Sequence, residues 1–386
     1  MMENWQAAGF GVYVHWPFCA AKCPYCDFNS HVVAHVDQRQ WQTTFVEEIA
    51  YWASAMDVRP RVGSVFFGGG TPSLMEPFVV EGILSALRTA FPFANDVEIT
   101  LEANPTSVEA AKFGAFVGAG VNRFSIGIQA LRDADLRALG RLHDVAQAKA
   151  AYDVARETGA RVSFDLIYAR QHQTADAWAE ELAEALAMGP SHLSLYQLTI
   201  EAGTAFGDRA ARGRLPGLPP EDRSVDLWDV TQTLTAQAGL RRYETSNHAA
   251  PDYEARHNLV YWRGGDWLGL GPGAHGRVSM AGRRTATTTL LQPGAWVSAP
   301  TRATAITQET LQTSDIIDEY VLGALRLADG VSLPRLAQLG GTFPCGTLAS
   351  LCDDGLCQVR GEHLCLTDRG ALLLNRVALE LLSAET

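Results

Sequence analysis

No stretch of this 386-residue sequence is apolar for long enough to span a bilayer. Its first residues lack the basic region and apolar core of a secretory signal, so a cytoplasmic protein without an integral membrane segment is expected. Positive charge is also short. Thirty-one Lys and Arg against 43 Asp and Glu leave a formal charge of −12, which argues against general nucleic-acid binding, since that needs a basic face. Cysteine is scarce. There are seven, three of them in one short run, which suits a reducing compartment better than a disulfide framework. What remains is ordinary for a globular chain, 47% hydrophobic and 19% charged, and long enough for a large core and more than one domain.

The run Phe18-Cys19-Ala-Ala-Lys-Cys23-Pro-Tyr-Cys26-Asp27-Phe28 has the spacing C-x3-C-x2-C. Three thiolates this close can seat one small metal centre, and soft sulfur favours iron–sulfur or zinc over hard cations. Three is one ligand short of a closed tetrahedral site. The missing ligand comes from elsewhere, or the position stays open to a small molecule. Buried apolar thiols are the plainer reading, but three at this spacing after an apolar strand favour a metal. The spacing resembles the signature of radical S-adenosylmethionine proteins. That resemblance implies a [4Fe–4S] cluster on Cys19, Cys23 and Cys26, with S-adenosylmethionine chelating the fourth iron.

Along the chain, β-rich runs alternate with helical spacing. Strands are expected at 11–15, 62–67, 97–101, 123–128, 161–167 and 192–197, and helices at 36–56, 76–91, 146–158 and 175–188. Such alternation predicts parallel strands with crossover helices, in a barrel or a doubly wound sheet. The polar and glycine-rich features choose between them. Cys19–Cys26, Gly68-Gly69-Gly70-Thr71, Glu102, Gln129 and Asp165 each fall at or just after the carboxyl end of a different strand. A barrel gathers those ends on one face, whereas a doubly wound sheet concentrates a site at one switch point. The expected fold is an incomplete (β/α)6 barrel followed by a small C-terminal helical domain with a β-hairpin.

Each of these features has a plainer reading. Gly68–Gly70 could be a tight turn, although successive glycines also bare backbone polar groups to a ligand. Glu102, Gln129 and Asp165 could be solvated loop residues, but a shared rim suits hydrogen bonding to an amine or a ribose. Arg141 could be a surface arginine or a bidentate partner for a carboxylate.

The residues Tyr13-Val-His15-Trp-Pro17-Phe18-Cys19, Phe67-Gly-Gly-Gly-Thr-Pro-Ser73, Ser125-Ile-Gly-Ile-Gln129 and Asp165-Leu-Ile-Tyr168 resemble the oxygen-independent coproporphyrinogen III oxidase family, over roughly residues 9–277. The resemblance implies a cofactor site. Tyr13 lies near the methionine of S-adenosylmethionine, with Phe28 among the contacting residues. Gly69, Gly70 and Thr71 meet its amino group, Glu102 hydrogen-bonds it, Arg141 takes its carboxylate, and Gln129 and Asp165 hold its ribose.

Two branches of that family differ. The oxidases resemble C-x3-C-x2-C-x-C and carry a long N-terminal extension; here Phe28 stands at the fourth cysteine's position and eighteen residues precede Cys19. The run His257-Asn258-Leu-Val-Tyr261-Trp262 resembles a motif of the branch whose members look like heme chaperones. The expected function is therefore to bind heme and transfer it to an acceptor protein, a membrane respiratory complex being one such acceptor. The alternative is radical oxidative decarboxylation of coproporphyrinogen III. His257 is either a hydrogen-bonded core histidine or an axial ligand to heme iron, which histidine commonly supplies; His248 and His275 are weaker rivals for that role and rank as structural. One departure stands out. Where the family continues Gly-Leu-Pro-Gly-Gln-Thr, this chain reads Ala169-Arg170-Gln171-His172-Gln173-Thr174, losing turn permissiveness beside the expected ribose site.

The domain reading is a barrel over 1–240, the His257-containing segment with a connection over 241–300, and a C-terminal domain over 301–386. The Thr- and Ala-rich stretch 283–313 is expected to be a connection with little core of its own. Beyond it come helices, a hairpin through Gly361-Glu362 and a last helix over about 367–382, a winged-helix-like order that carries no DNA-binding implication. Cys345, Cys352, Cys357 and Cys365 lack any C-x2-C pair and are expected to be buried apolar thiols rather than a zinc site.

Overall fold

The computed structural model describes residues 4–383, so the outermost three residues of the expected end domains lie outside it. In chain order its strands are β1 (Phe10–Trp16), β2 (Phe18–Cys19), β3 (His31–Val32), β4 (Val62–Gly69), β5 (Phe93–Ala103), β6 (Arg123–Gln129), β7 (Arg161–Tyr168), β8 (His192–Gln197), β9 (Arg241–Glu244), β10 (Asn247–Ala249), β11 (Asp266–Leu270), β12 (His275–Met280), β13 (Arg283–Thr289), β14 (Ile306–Thr310), β15 (Val331–Ser332), β16 (Cys357–Arg360) and β17 (His363–Leu366). Helices at Gln38–Ala55, Pro77–Ala90, Val145–Glu157 and Ala175–Ala187 return the chain between parallel strands. Their starts are written locally. The Asp37 carboxylate accepts from the N–H of Arg39 and Gln40, and Asp144 with Gln147 closes a capping box.

The six expected strands pair in parallel in the order β1-β4-β5-β6-β7-β8. Both faces of these strands are covered, as the almost wholly buried β1 shows, and that is why they read as apolar runs. The sheet is larger than expected. A seventh parallel strand, β11, pairs with β1, and β12, β13 and β14 add antiparallel strands beyond it. At the other edge β10 and β9 add antiparallel strands to β8. The twelve-stranded sheet runs from β14 to β9 and stays open between them.

The expected connection over 283–313 is therefore corrected to sheet. In β13 the buried Thr285, Thr287 and Thr289 alternate with the half-buried Ala286 and Thr288, and Arg284 at the start of the strand is buried as well. These β-branched side chains suit a pleated surface, and their polarity hid the pattern. Trp296 and Ile306 nearby join the main core. Within 241–300 the strands β9 to β13 join the same sheet, and the His257 motif lies on a short helix, Arg256–Trp262.

A separate apolar cluster built from Val321, Leu336, Leu351, Leu364, Val377 and their neighbours forms the C-terminal region. Its three strands lie in the order β15-β17-β16, with the expected hairpin turning at Gly361. The expected last helix is two, Asp368–Leu372 and Leu374–Ser383. Cys357 and Cys365 are buried, as expected for apolar thiols, but Cys352 is half-buried and Cys345 is exposed.

Candidate cluster and cofactor site

Cys19 closes β2, and Cys23 and Cys26 follow in the loop that leads to β3. All three are free and half-buried. Burial raises the Cys19 and Cys26 thiols; Cys19 also feels the charge of Cys23, and Cys26 that of both Cys23 and Cys19, so the three share one site. Among the described residues no three His, Cys, Asp or Glu side chains converge tightly enough for one bare ion. A cluster takes its thiolates at its corners and asks for a wider triangle. The three-thiolate donor set fits a [4Fe–4S] cluster with one iron left to another ligand.

The glycine run after β4 is held against this loop. Gly70 N–H donates to Trp16 O at 2.7 Å and Thr71 N–H to Phe18 O at 2.8 Å. A side chain has no room here. A Cβ on Gly70 would lie 2.7 Å from Phe18 O and 3.0 Å from Cys19 Sγ, and one on Gly69, at φ +112°, would lie 2.6 Å from the His15 ring. The run is more than a tight turn: it presses bare backbone against the cysteine strand.

Arg141 reaches the same loop from beyond β6. Its guanidinium donates to Cys23 Sγ at 3.3 Å, Asn104 Oδ1 at 2.5 Å and Gly127 O at 3.0 Å. Asn104 in turn donates to Thr71 Oγ1 at 3.1 Å. Thr71, Asn104, Arg141 and Cys23 form one chain of contacts across three strand ends. Arg141 Nε is buried without a partner, an open donor that fits a carboxylate. Gln129 ends β6 at φ +74° and flanks Gly127 together with Arg141.

Glu102 and Asp165 project from neighbouring parts of the sheet into a small polar cavity of about 180 Å³ that also holds Ser125 and Arg123. Burial, then the nearby Asp165, pushes the Glu102 carboxyl up to about 8, against the pull of the Gly69 N–H and Arg123. Burial likewise raises Asp165 to about 6, opposed by hydrogen bonds from Ser194 and Ser125. Two carboxyls that resist ionisation suit a cationic or hydroxyl-rich guest.

Tyr13, Gly69, Glu102 and Phe28 line a second, larger cavity of about 780 Å³, which opens between the barrel and the C-terminal region. The Tyr13 hydroxyl is paired with His15 Nδ1 at 2.9 Å, and burial holds its ionisation far above the ordinary range. Phe28 is 60% exposed at the same cavity. His257 lies behind Tyr13, stacked on Phe66 and 1% exposed. Its Nδ1 pairs with Ser64 Oγ at 2.9 Å and its Nε2 with the Tyr261 hydroxyl at 2.6 Å. Burial, aided by Arg123, lowers it to about 3, so it stays neutral. It lines the small cavity, not the large one.

Asn104, Ser125 and His15 were not among the site residues read from the sequence. Asn104 follows Glu102, and His15 follows Tyr13, at a spacing of two. Period-two alternation, which puts such pairs on one face of a strand, could have found both. The departing loop is left-handed at two places. Ala169 and His172, at the two expected glycine positions, have φ of +58° and +61°, so the left-handed backbone persists without glycine. Arg170 anchors it by donating to Ile167 O at 2.7 Å and pairing with Asp135 at 2.8 Å and with Glu181.

Comparison with known proteins agrees with this geometry. Residues 13–186 match the radical SAM superfamily. The chain is 36% identical over 385 residues to the heme chaperone HemW of Escherichia coli (strain K12), covering 97% of this chain and 98% of that one. The chain belongs to the HemW family of radical SAM proteins. HemW of Mycobacterium tuberculosis (strain ATCC 25618 / H37Rv) is 35% identical over 97% of this chain and 95% of its own. A mitochondrial radical S-adenosyl methionine domain-containing protein 1 of Mus musculus is 38% identical over 83% of this chain and 74% of its own. Among solved structures, the coproporphyrinogen III oxidase HemN of Escherichia coli superposes with a TM-score of 0.80 at 24% identity, over 96% of this chain and 89% of that one. At that identity the likeness speaks to the HemW family's fold alone.

Proposed function

We propose that this chain is a heme chaperone that binds heme, carries a [4Fe–4S] cluster with S-adenosylmethionine, and passes heme to an acceptor protein. The observation that carries this reading is the cavity of about 780 Å³ beside the cofactor residues, in a chain that shares 36% identity with a HemW heme chaperone along nearly its whole length. Volumes of ~300–1,000 Å³ are usual for cofactor-sized guests. Seven free cysteines suit a cytoplasmic setting, and among the described residues no helix is long and apolar enough to cross a membrane.

When bound, the cluster and S-adenosylmethionine supply one-electron chemistry at the carboxyl ends of the strands. Cys19, Cys23 and Cys26 would hold the cluster. Arg141, fixed through Asn104 and Thr71, would turn its unpaired Nε to the cofactor's carboxylate. Gly69, Gly70 and Thr71 would offer backbone groups to its amino group, with Glu102 as the acidic partner. Gln129 and Asp165 would take the ribose hydroxyls, and Tyr13 and Phe28 would shield the site from water.

The alternative, oxidative decarboxylation of coproporphyrinogen III, draws on the HemN-like fold. Against it, Phe28 stands where the oxidases resemble a fourth cysteine. Anaerobic reconstitution tests both readings. The protein should take up about four irons per chain, lose them in Cys23→Ala, bind heme, and form no protoporphyrinogen from coproporphyrinogen III with cofactor and reductant supplied. Sustained turnover of that substrate, or no heme uptake, overturns the proposal.

A further inference from the structure

The large cavity has two kinds of wall. On the barrel side stand Tyr261 and Trp267, their rings edge to face with centroids 4.6 Å apart. The C-terminal region adds Leu322 and Leu374. Leu322 is 45% exposed, an apolar surface left to water at the cavity edge. A flat apolar ring suits such a slot.

Two histidines line this cavity, His15 and His275. Both ring nitrogens of His15 are engaged, Nδ1 with Tyr13 and Nε2 with Asn29 O at 3.0 Å. His257, outside this cavity, would have to give up both Ser64 and Tyr261 to reach a metal. His275 differs. It is exposed at the start of β12, and its Nδ1 pairs with Thr288 Oγ1 at 3.3 Å on the adjacent strand. Among the described residues its Nε2 has no hydrogen-bond partner. A ring steered through one nitrogen, with the other bare, is the usual arrangement of a metal-ligating histidine. The Trp267 indole N–H donates to His275 O at 2.9 Å, tying the aromatic wall to the same residue.

The charged groups are also arranged for a dicarboxylate. Arg277 is spent on a bidentate pair with Glu319, at 2.7–3.0 Å. Arg326 stacks over Trp262 at 4.5 Å and reaches Glu244 only at 3.4 Å, and its Nε has no partner. Arg284 is 4% exposed; it faces Asp266 at 3.6 Å and donates to Gly265 O at 2.7 Å, and its NH1 lacks an acceptor. Both arginines line the cavity.

We propose that heme occupies this cavity with its iron on His275 Nε2, its ring against Tyr261 and Trp267, and its carboxylates toward Arg326 and Arg284. The inference rests on the heme-binding reading above and gives it a site. It places heme beside Tyr13, Gly69 and Glu102, so the cargo and the cofactor share one cavity. It also makes the C-terminal region one wall of the heme site.

The test is heme titration of the full chain, followed in the Soret region. His275→Ala should weaken heme binding by about tenfold or more and shift the Soret band, and added imidazole should restore the band by supplying the lost ligand. Cluster iron, measured before heme is added, should stay at the wild-type level, which shows that the variant is folded. Arg326→Ala should weaken binding of heme but not of heme dimethyl ester, which lacks the free carboxylates. A wild-type protein that takes up no heme overturns the function itself. A wild-type protein that binds heme, with His275→Ala unchanged in affinity and band position, overturns only this site. A Soret shift confined to His257→Gln overturns it in favour of the buried histidine.

Discussion

Replacing Glu102 by Gln should alter how stability depends on pH and leave stability at low pH nearly untouched. Below about pH 4.5, the ordinary value for this side chain, the carboxyl is protonated in the folded and unfolded chains alike. As pH rises toward about 8, the unfolded chain gives up that proton while the folded chain keeps it. The folded state binds more protons, so wild-type stability falls through this window. At about 1.4 kcal/mol per pH unit the full displacement amounts to roughly 4–5 kcal/mol. Glu102 faces cavity water, which screens its charge, so we expect about 2 kcal/mol. Gln keeps the shape and an oxygen to accept the Gly69 N–H, but has no proton to lose. Urea titrations of the metal-free protein should show Glu102→Gln within about 0.5 kcal/mol of wild type at pH 5 and more stable by about 2 kcal/mol at pH 8.5. Parallel stability curves for the two proteins would falsify the argument that burial and Asp165 hold this carboxyl protonated. The same reasoning expects proton release when a cationic amine binds near pH 7, measurable by calorimetry in two buffers of different ionisation enthalpy.

Two further outcomes follow from contacts in the same region. Arg170→Ala should destabilise the protein by about 3 kcal/mol, because it leaves Glu181, 1% exposed, a buried carboxylate without its counter-ion, held only by the Leu131 N–H and Gln173; the double change to Met at both positions should recover part of that loss, and a simple sum of the single effects would argue against the pair. Gly70→Ala should lower iron retention and weaken S-adenosylmethionine binding by about tenfold, since its methyl meets Phe18 O and Cys19 Sγ; wild-type iron content and affinity in that variant would show that the glycine run is an ordinary turn.

Local chemistry decided much of this protein before folding. The cysteine spacing, the parallel strands and the rim position of Glu102, Gln129 and Asp165 were legible because each rests on short-range pattern: ligand spacing, apolar runs between helices, and polar residues at strand ends. The strands at 123–129 and 192–197 lie within one residue of their expected bounds. Long-range pairing decided the rest. Nothing local says that 266–270 will lie parallel to 10–14, because parallel partners are chosen by the whole sheet. The strand at 283–289 hid its buried face behind threonines. The left-handed backbone at Ala169 and His172 was unreadable because neither is glycine, and Arg170 holds the loop through partners 35 and 11 residues away. The histidines show the division most plainly. A motif drew attention to His257, but burial committed both its nitrogens to Ser64 and Tyr261, whereas His275, ranked as structural from the sequence, has one nitrogen free because β12 begins at a cavity that exists only once the C-terminal region packs across the barrel.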